Sequence, residues 1–355
     1  MRRLMSQIRL NNHIIAKGQS PFIISEVGVN HNGDVNNALK MIDVAKTAGV
    51  DAVKFQTFRA NELVANSSQM YTYKSQGTEI TESMLEMFKR YELSKEDWIK
   101  IKKKCDEKKI LFLSTPQNRT DLDLLLELGI TAIKVGSDDF TNLPLIKDYA
   151  TTGLPLLLSC GMADQDEIYQ SLNTVGALEG YPTVLLLTTS LYPTPPNEVN
   201  LLKLKTLENI FPDIPLGYSD HTQGSLASSL AVALGAVVFE KHFTLDHNMP
   251  GPDHWFSEDP KGLKEYVAAI KNSFLMLGSS LVKPSDKEIS MRGIARRSIV
   301  ALQDIKKGER YNKTNIGLRR PGNGLPPSMI EQIYDLKSVR KIKKGEIIKN
   351  GDFKL

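Results

Sequence analysis

Eight times between Phe22 and Thr244 an apolar run rich in Val, Ile and Leu ends in polar or charged residues, and a segment of helical spacing follows. The runs are FIISEVG (22–28), AVKFQTF (52–58), ILFLSTP (110–116), AIKVGS (132–137), LPLLLSCG (154–161), TVLLLTTS (183–190), PLGYSDHT (215–222) and VVFEKHFT (237–244). Near-continuous apolarity marks strands covered on both faces, as in a parallel sheet wrapped by helices. The intervening segments carry apolar residues at helical spacing: Leu39, Ile42, Val44 and Ala45; Leu122, Leu125 and Leu126; Leu226, Leu230, Ala233 and Leu234. Gly49, Gly129, Gly153, Gly235 and Gly278 stand where helices would close. The rhythm predicts a (β/α)8 TIM barrel, a fold of roughly 250 residues.

The chain has 355 residues, so a barrel leaves a C-terminal remainder too long for a tail. The net charge of +4 conceals an asymmetry: from Ser290 onward the balance is +10, leaving −6 for residues 1–289. This predicts a barrel domain over 1–280, a Pro- and Ser-containing linker over 281–290 and a small β-rich domain over 291–355. Inside the last, IKKGERYNKTNI (305–316) and IKKGEIIKNGDF (342–353) form a local repeat, which suggests pseudo-symmetry. Its basic charge invites a nucleic-acid reading. With only Tyr311, Tyr334 and Phe353 as aromatics and no nucleic-acid signature, a solvated basic surface explains it better. No apolar run reaches the roughly 18 residues of a membrane span. The N-terminus lacks the apolar stretch of a secretion signal. Two cysteines, Cys105 and Cys160, exclude a disulfide scaffold and point to a reduced cytoplasm. Cys160 reads as a small buried residue, since no base stands out to activate it.

In such a barrel the C-terminal strand ends build the active site. His221 and His242 end neighbouring strands, and two neutral imidazoles with open positions suit a divalent transition metal. Asp220 and Glu240 lie close by in sequence, one on the other side of its strand and one a layer deeper, and neither is expected as a ligand. Lys54 and Lys134 end strands 2 and 4, while Thr115, Ser137, Ser159, Ser190 and Ser219 supply hydroxyls. Lysines among hydroxyls at a barrel mouth suit a phosphate or carboxylate, unless a carboxylate such as Glu26 already pairs with them.

SEVGVNHNGD (25–34), VKFQTF (53–58), LSTP (113–116), KVGS (134–137), YPTP (192–195), GYSDHT (217–222), EKHFT (240–244), PGPDH (250–254) and RRPGNG (319–324) occur in this order. Together they resemble the sialic acid synthase family over nearly the whole chain, including a C-terminal antifreeze-like, or SAF, domain. The resemblance implies condensation of phosphoenolpyruvate with an N-acyl hexosamine to give a nine-carbon 2-keto acid. It implies a divalent cofactor held by His221 and His242, manganese first, with magnesium or cobalt as alternatives. It places Lys54, Thr115, Lys134, Ser137, Ser159, Ser190 and Ser219 on phosphoenolpyruvate, Ser190 standing where several members have Asn. Gln56, Asp139, Tyr192, Asp253 and Arg320 fall on the sugar. Glu26 is matched to the acidic residue of strand 1 that handles protons, and with Lys54 and Lys134 makes the expected catalytic set. The resemblance further implies a domain-swapped homodimer in which Arg320 acts in trans. GSDD (136–139), LSCG (158–161) and TTSLYP (188–193) depart from common family wording, which leaves the acceptor open. N-acetylmannosamine would give N-acetylneuraminate; a 2,4-diacetamido-2,4,6-trideoxyhexose would give legionaminate. Pseudaminate synthesis and sugar binding without catalysis are the alternatives.

Overall fold

A computed structural model describes residues 7–354. All eight apolar runs are strands: β1 (Phe22–Gly28), β2 (Ala52–Thr57), β3 (Leu111–Pro116), β4 (Ile133–Val135), β5 (Leu156–Ser159), β6 (Thr183–Thr188), β7 (Leu216–Asp220) and β8 (Val238–His242). They form one parallel sheet in the order β3-β2-β1-β8-β7-β6-β5-β4. β3 and β4 lie side by side and complete the ring, giving the expected barrel.

Two-residue alternation divides each strand between two cores. Ile23, Val53, Phe55, Phe112, Ile133, Leu158, Leu185, Tyr218 and Phe239 face outward into the layer between sheet and helices. Phe22, Ile24, Ala52, Leu113, Leu157, Leu186 and Val238 face the barrel axis. There they meet Ile8, Leu10 and Ile15 of an N-terminal hairpin, Ile8–Leu10 paired with His13–Ile15, which plugs the lower end. Extending the inward parity upward by one or two steps brings Glu26, Lys54, Gln56, Thr115, Lys134, Ser159, Ser219, Glu240 and His242 onto the axis at the opposite end.

In helix α1 (Val35–Ala48) Ile42 and Ala45 of the expected stripe are buried, joined by Ala38 and Met41, while Leu39 and Val44 are only partly buried. In α2 (Leu226–Ala233) the expected stripe is rotated. Ala227, Ser228, Ala231 and Val232 are buried while Leu226 and Leu230 are 73% and 51% exposed. Small residues let this helix approach the sheet closely, and the leucines are displaced outward. Like the N-terminal hairpin, a hairpin of Met70–Ser75 and Thr78–Ser83 was not expected from the sequence, and its side chains help line the barrel mouth. No helix among the described residues is long and apolar enough to cross a membrane.

The chain divides into two compact units, Met1–Gly278 and Ser279–Leu355. The stretch read as a linker over 281–290 is partly helical: Asp286–Ala295 forms a helix begun by a capping box between Ser285 and Glu288. Serine followed by glutamate three positions on is an N-terminal signal that the Pro-Ser composition obscured. The second unit packs Ile299, Ile305, Tyr311, Ile316, Ile342 and Ile348 into its own core. Its repeat is structural: Ile305 and Ile342 exchange backbone hydrogen bonds of 2.8 and 2.9 Å, and Lys306 and Lys343 donate their amides to Glu309 and Glu346 in equivalent turns.

Candidate active site

The inward-facing strand ends surround a cavity of about 890 Å³. At its floor lie four buried titratable groups, Glu26, Lys54, Lys134 and Glu240. Lys54 Nζ is 2.8 Å from Glu26 and 3.7 Å from Glu240, and Lys134 Nζ is 3.5 Å from the other oxygen of Glu240. Glu240 is therefore shared by two ammonium groups, and Ser219 donates to it at 3.0 Å. Lys54 donates to Thr115 at 3.3 Å, and Lys134 to Ser159 at 2.8 Å. The alternative of a lysine paired with Glu26 is thus met at Lys54, yet it does not neutralise the cluster. Burial pushes the Glu26 carboxyl up to about 7 despite the pull of Lys54. Against the same burial cost, the two lysines hold Glu240 below the usual carboxylate range. Burial, joined by repulsion from Lys54, draws Lys134 down, while Glu240 and Glu26 outweigh burial at Lys54 and raise it. With Glu26 protonated, two ammonium groups face one carboxylate, leaving one positive charge for an anionic ligand.

Above this floor the histidine rings are 5.5 Å apart between centroids. His221 Nδ1 is 2.8 Å from the Thr189 carbonyl, which makes Nδ1 the protonated nitrogen and turns the Nε2 lone pair free. His242 Nδ1 is buried without a hydrogen-bond partner, with Asp253 3.7 Å away. Burial draws His221 down to about 4 and His242 well below its ordinary value, so both imidazoles are neutral donors. The ring centroid of Tyr192 lies 4.1 Å from that of His221 and that of Phe256 5.3 Å from that of His242, which packs aromatic rings against both imidazoles. Two neutral imidazoles, one with an orphaned nitrogen, fit a divalent cation. Among the described residues no third His, Cys, Asp or Glu joins them in a metal-holding group, so further positions fall to solvent or substrate.

Hydroxyls gather on the β4–β6 side. Gly161 N donates to Ser137 Oγ at 3.1 Å, and Ser190 Oγ is buried without a partner. A Cβ on Gly161 would overlap Ser190, Ser137 and Thr188, so glycine keeps this hydroxyl cradle open. Cys160 beside it is buried, its thiol pushed up to about 12 by burial, as suits a packing residue.

Of the expected residues, Glu26, Gln56, Lys54, Thr115, Lys134, Ser137, Ser159, Ser190, Tyr192, Ser219, His221, His242 and Asp253 line this one cavity. Asp139 does not. It accepts from Asn142 at 2.9 Å, and its neighbour Asp138 takes the place on the wall. β4 ends at Val135, so strand parity no longer decides which aspartate turns inward. Arg320 belongs to the second unit, exposed just beyond the strand Ile316–Arg319. Asp220 points outward, as expected. Three features escaped the sequence reading: Glu240 as the shared counter-ion, Asp138, and an aromatic wall of Tyr71, Tyr73, Trp255 and Phe256. Glu240 shares the parity of His242. The hairpin carrying Tyr71 and Tyr73 is announced by Gln76-Gly77, whose positive φ values of 49° and 82° make a two-residue turn.

Residues 41–281 match the NeuB family and residues 296–354 the SAF domain. Two relatives named N,N'-diacetyllegionaminic acid synthase, from Legionella pneumophila and Campylobacter jejuni, are each 41% identical to this chain. The alignments cover 93% and 92% of this chain and 94% and 98% of theirs. The crystal structure of an N-acetylneuraminic acid synthetase from Leptospira borgpetersenii in complex with citrate superposes with a TM-score of 0.72 at 32% identity, covering 82% of this chain and 98% of that one. The chain is therefore an enzyme of the NeuB family, the sialic acid synthases, with a SAF domain at its C-terminal end.

Proposed function

We propose that this enzyme condenses phosphoenolpyruvate with a 2,4-diacetamido-2,4,6-trideoxyhexose and water, giving an N,N'-diacetyllegionaminate-type nonulosonate and phosphate. The observation that carries the reading is the cavity floor, where two buried lysines share one ionised carboxylate beneath two neutral imidazoles. That net positive charge suits the carboxylate and phosphate of phosphoenolpyruvate, with Thr115, Ser159, Ser190 and Ser137 as further contacts. So held, C3 of phosphoenolpyruvate reaches the aldehyde carbon of the open-chain sugar. Glu26, protonated when phosphoenolpyruvate binds and with its carboxyl near 7, gives its proton to the aldehyde oxygen as the C–C bond forms and then takes the proton of the water that adds to C2. Phosphate then leaves by C–O cleavage, and the water oxygen becomes the ketone. His221 and His242 would hold a divalent ion, manganese first with magnesium or cobalt as alternatives, which when bound supplies a Lewis acid for the sugar's aldehyde oxygen. Gln56, Tyr192, Asp253 and Asp138 face the sugar, and the aromatic wall suits a deoxygenated, doubly acetylated ring. The 41% identity to enzymes named for legionaminate favours this acceptor. Two buried free cysteines accord with action in the reducing cytoplasm. The remaining parts of the proposal are a homodimer and Arg320 as a cationic contact to the sugar supplied in trans.

Phosphate release should be measured with phosphoenolpyruvate and, side by side, the diacetamido sugar, N-acetylmannosamine and the pseudaminate precursor. The diacetamido sugar is expected to give the highest kcat/KM. Preference for N-acetylmannosamine would reassign the acceptor, and release with none of them would refute the reaction.

A further inference from the structure

Behind the two histidines, on the outer face of the same strands, lies a second buried charged cluster with no part in the cavity. β7 and β8 are paired in register with Ser219 opposite Glu240 and Asp220 opposite Lys241. Alternation sends the first pair inward and the second outward, and His221 and His242 follow directly. Lys241 Nζ is 3.4 Å from Asp220 and 3.7 Å from Glu258, with side-chain exposures of 2%, 0% and 14%. The cluster grips the chain just beyond each histidine. After His221, Lys241 donates to the Thr222 carbonyl, while the Thr222 amide and hydroxyl donate to Asp220 at 2.8 and 2.7 Å. After His242, Glu258 donates its amide to the His242 carbonyl at 2.8 Å, Thr244 donates to the Glu258 carbonyl at 2.9 Å, and Gly224 donates to the Glu258 carboxylate at 2.9 Å. Ser228 of α2 donates to Asp220 at 2.7 Å, which ties the cluster to the helix layer.

Burying a lysine and two carboxylates costs several kcal/mol per ion unless geometry and hydrogen bonds offset it. A structural pair could sit anywhere along the two strands. This one sits at the register step before the histidines, and its hydrogen bonds fall on the residues that follow them. Supporting groups that orient metal ligands characteristically change affinity tenfold to a hundredfold when removed.

We propose that Asp220, Lys241 and Glu258 are positioning residues that set the separation of His221 and His242 and thereby the affinity of the site for a divalent cation. The inference rests on the metal reading above. It is tested by titrating metal-free, full-length protein with Mn2+ alone, following free Mn2+ by electron paramagnetic resonance, with thermal unfolding in parallel. The variant is Asp220→Asn combined with Lys241→Met, which removes the charges of that pair together, keeps an acceptor for Thr222 and leaves the Glu258 carboxylate with the Gly224 amide. The expected result is a Kd for Mn2+ raised about tenfold to a hundredfold with little change in melting temperature. An unchanged Kd in the folded double variant overturns the proposal and leaves the cluster a structural pair. If the double variant does not fold, Glu258→Gln, which keeps the Asp220–Lys241 pair, replaces it. A Kd raised threefold or more supports the proposal, and an unchanged one overturns it. Wild-type protein that fails to bind Mn2+, or binding that survives His221→Ala, defeats the metal reading and this inference with it.

Discussion

Because burial pushes the Glu26 carboxyl up to about 7 while Lys54 stays charged beside it, the charge offered to an anion depends on pH near neutrality. Below 7 the floor carries one positive charge; above it, ionised Glu26 cancels that charge. The Kd for phosphoenolpyruvate, measured between pH 7 and 9, should rise by up to about tenfold per unit, and Glu26→Gln should flatten the rise. A flat wild-type profile would mean that Glu26 is ionised throughout. The stability linkage has a matching sign. The folded carboxyl lies above its unfolded value of 4.5, so its contribution is full below about 4.5 and is lost as pH rises through 7. Relative to wild type, Glu26→Gln should therefore melt higher at pH 8 than at pH 5. Lys54→Ala and Lys134→Ala each remove a charge-assisted contact worth about 1.5–3 kcal/mol, or roughly ten- to hundredfold in phosphoenolpyruvate affinity. Steady-state kinetics with each substrate varied should show a far smaller effect on the sugar. A selective loss of sugar affinity would reverse the placement of these lysines.

Among the elements, the hairpin of Met70–Ser75 and Thr78–Ser83 is tied to its surroundings largely through side chains. Arg90 grips Glu82 with two bonds of 2.6 and 2.5 Å, and Tyr73 donates to the same carboxylate at 2.7 Å. Gln76 donates to the Asn248 carbonyl at 2.8 Å, and Gly251 donates its amide to Ser75 at 3.0 Å, linking the hairpin to the loop that carries Asp253 and Trp255. The Arg90 side chain is half exposed, so solvent screens the pair and its contribution to global stability is modest. Its loss should instead loosen the wall. Arg90→Ala is expected to raise the sugar KM roughly two- to fivefold, with the KM for phosphoenolpyruvate unchanged; equal effects on both would place the hairpin outside acceptor binding.

For the molecule as a whole, chelation should abolish turnover and Mn2+ should restore it, with His221→Ala and His242→Ala unable to recover. Full activity after chelation would remove the metal from the proposal. Arg320 tests the homodimer. Mixing Arg320→Ala subunits with Lys54→Ala subunits should restore activity if the arginine acts in trans, since one site of each heterodimer then holds both native residues. Each heterodimer recovers at most about half of its sites, which is about a quarter of all sites after statistical exchange of an equal mixture. No recovery despite demonstrated subunit exchange would place the arginine in cis or outside the reaction.

The sequence by itself determined the barrel and most of the side chains that line its mouth, because two-residue alternation along an apolar run decides which side chains reach the axis and which strand end is polar. Glu26, Lys54, Lys134, Ser159, Ser219 and His242 follow from that parity alone. Glu240 shares it, but the role of shared counter-ion exists only once β2, β4, β7 and β8 meet in space. Alternation stops where strands stop. Asp138 rather than Asp139 on the wall, the outward leucines of α2, the helix inside the supposed linker and the hairpin over the mouth were all settled by local turns and packing. Tertiary structure also decided the charges, since burial and neighbours set the protonation of Glu26 and both histidines, and no linear pattern records which groups share a cavity.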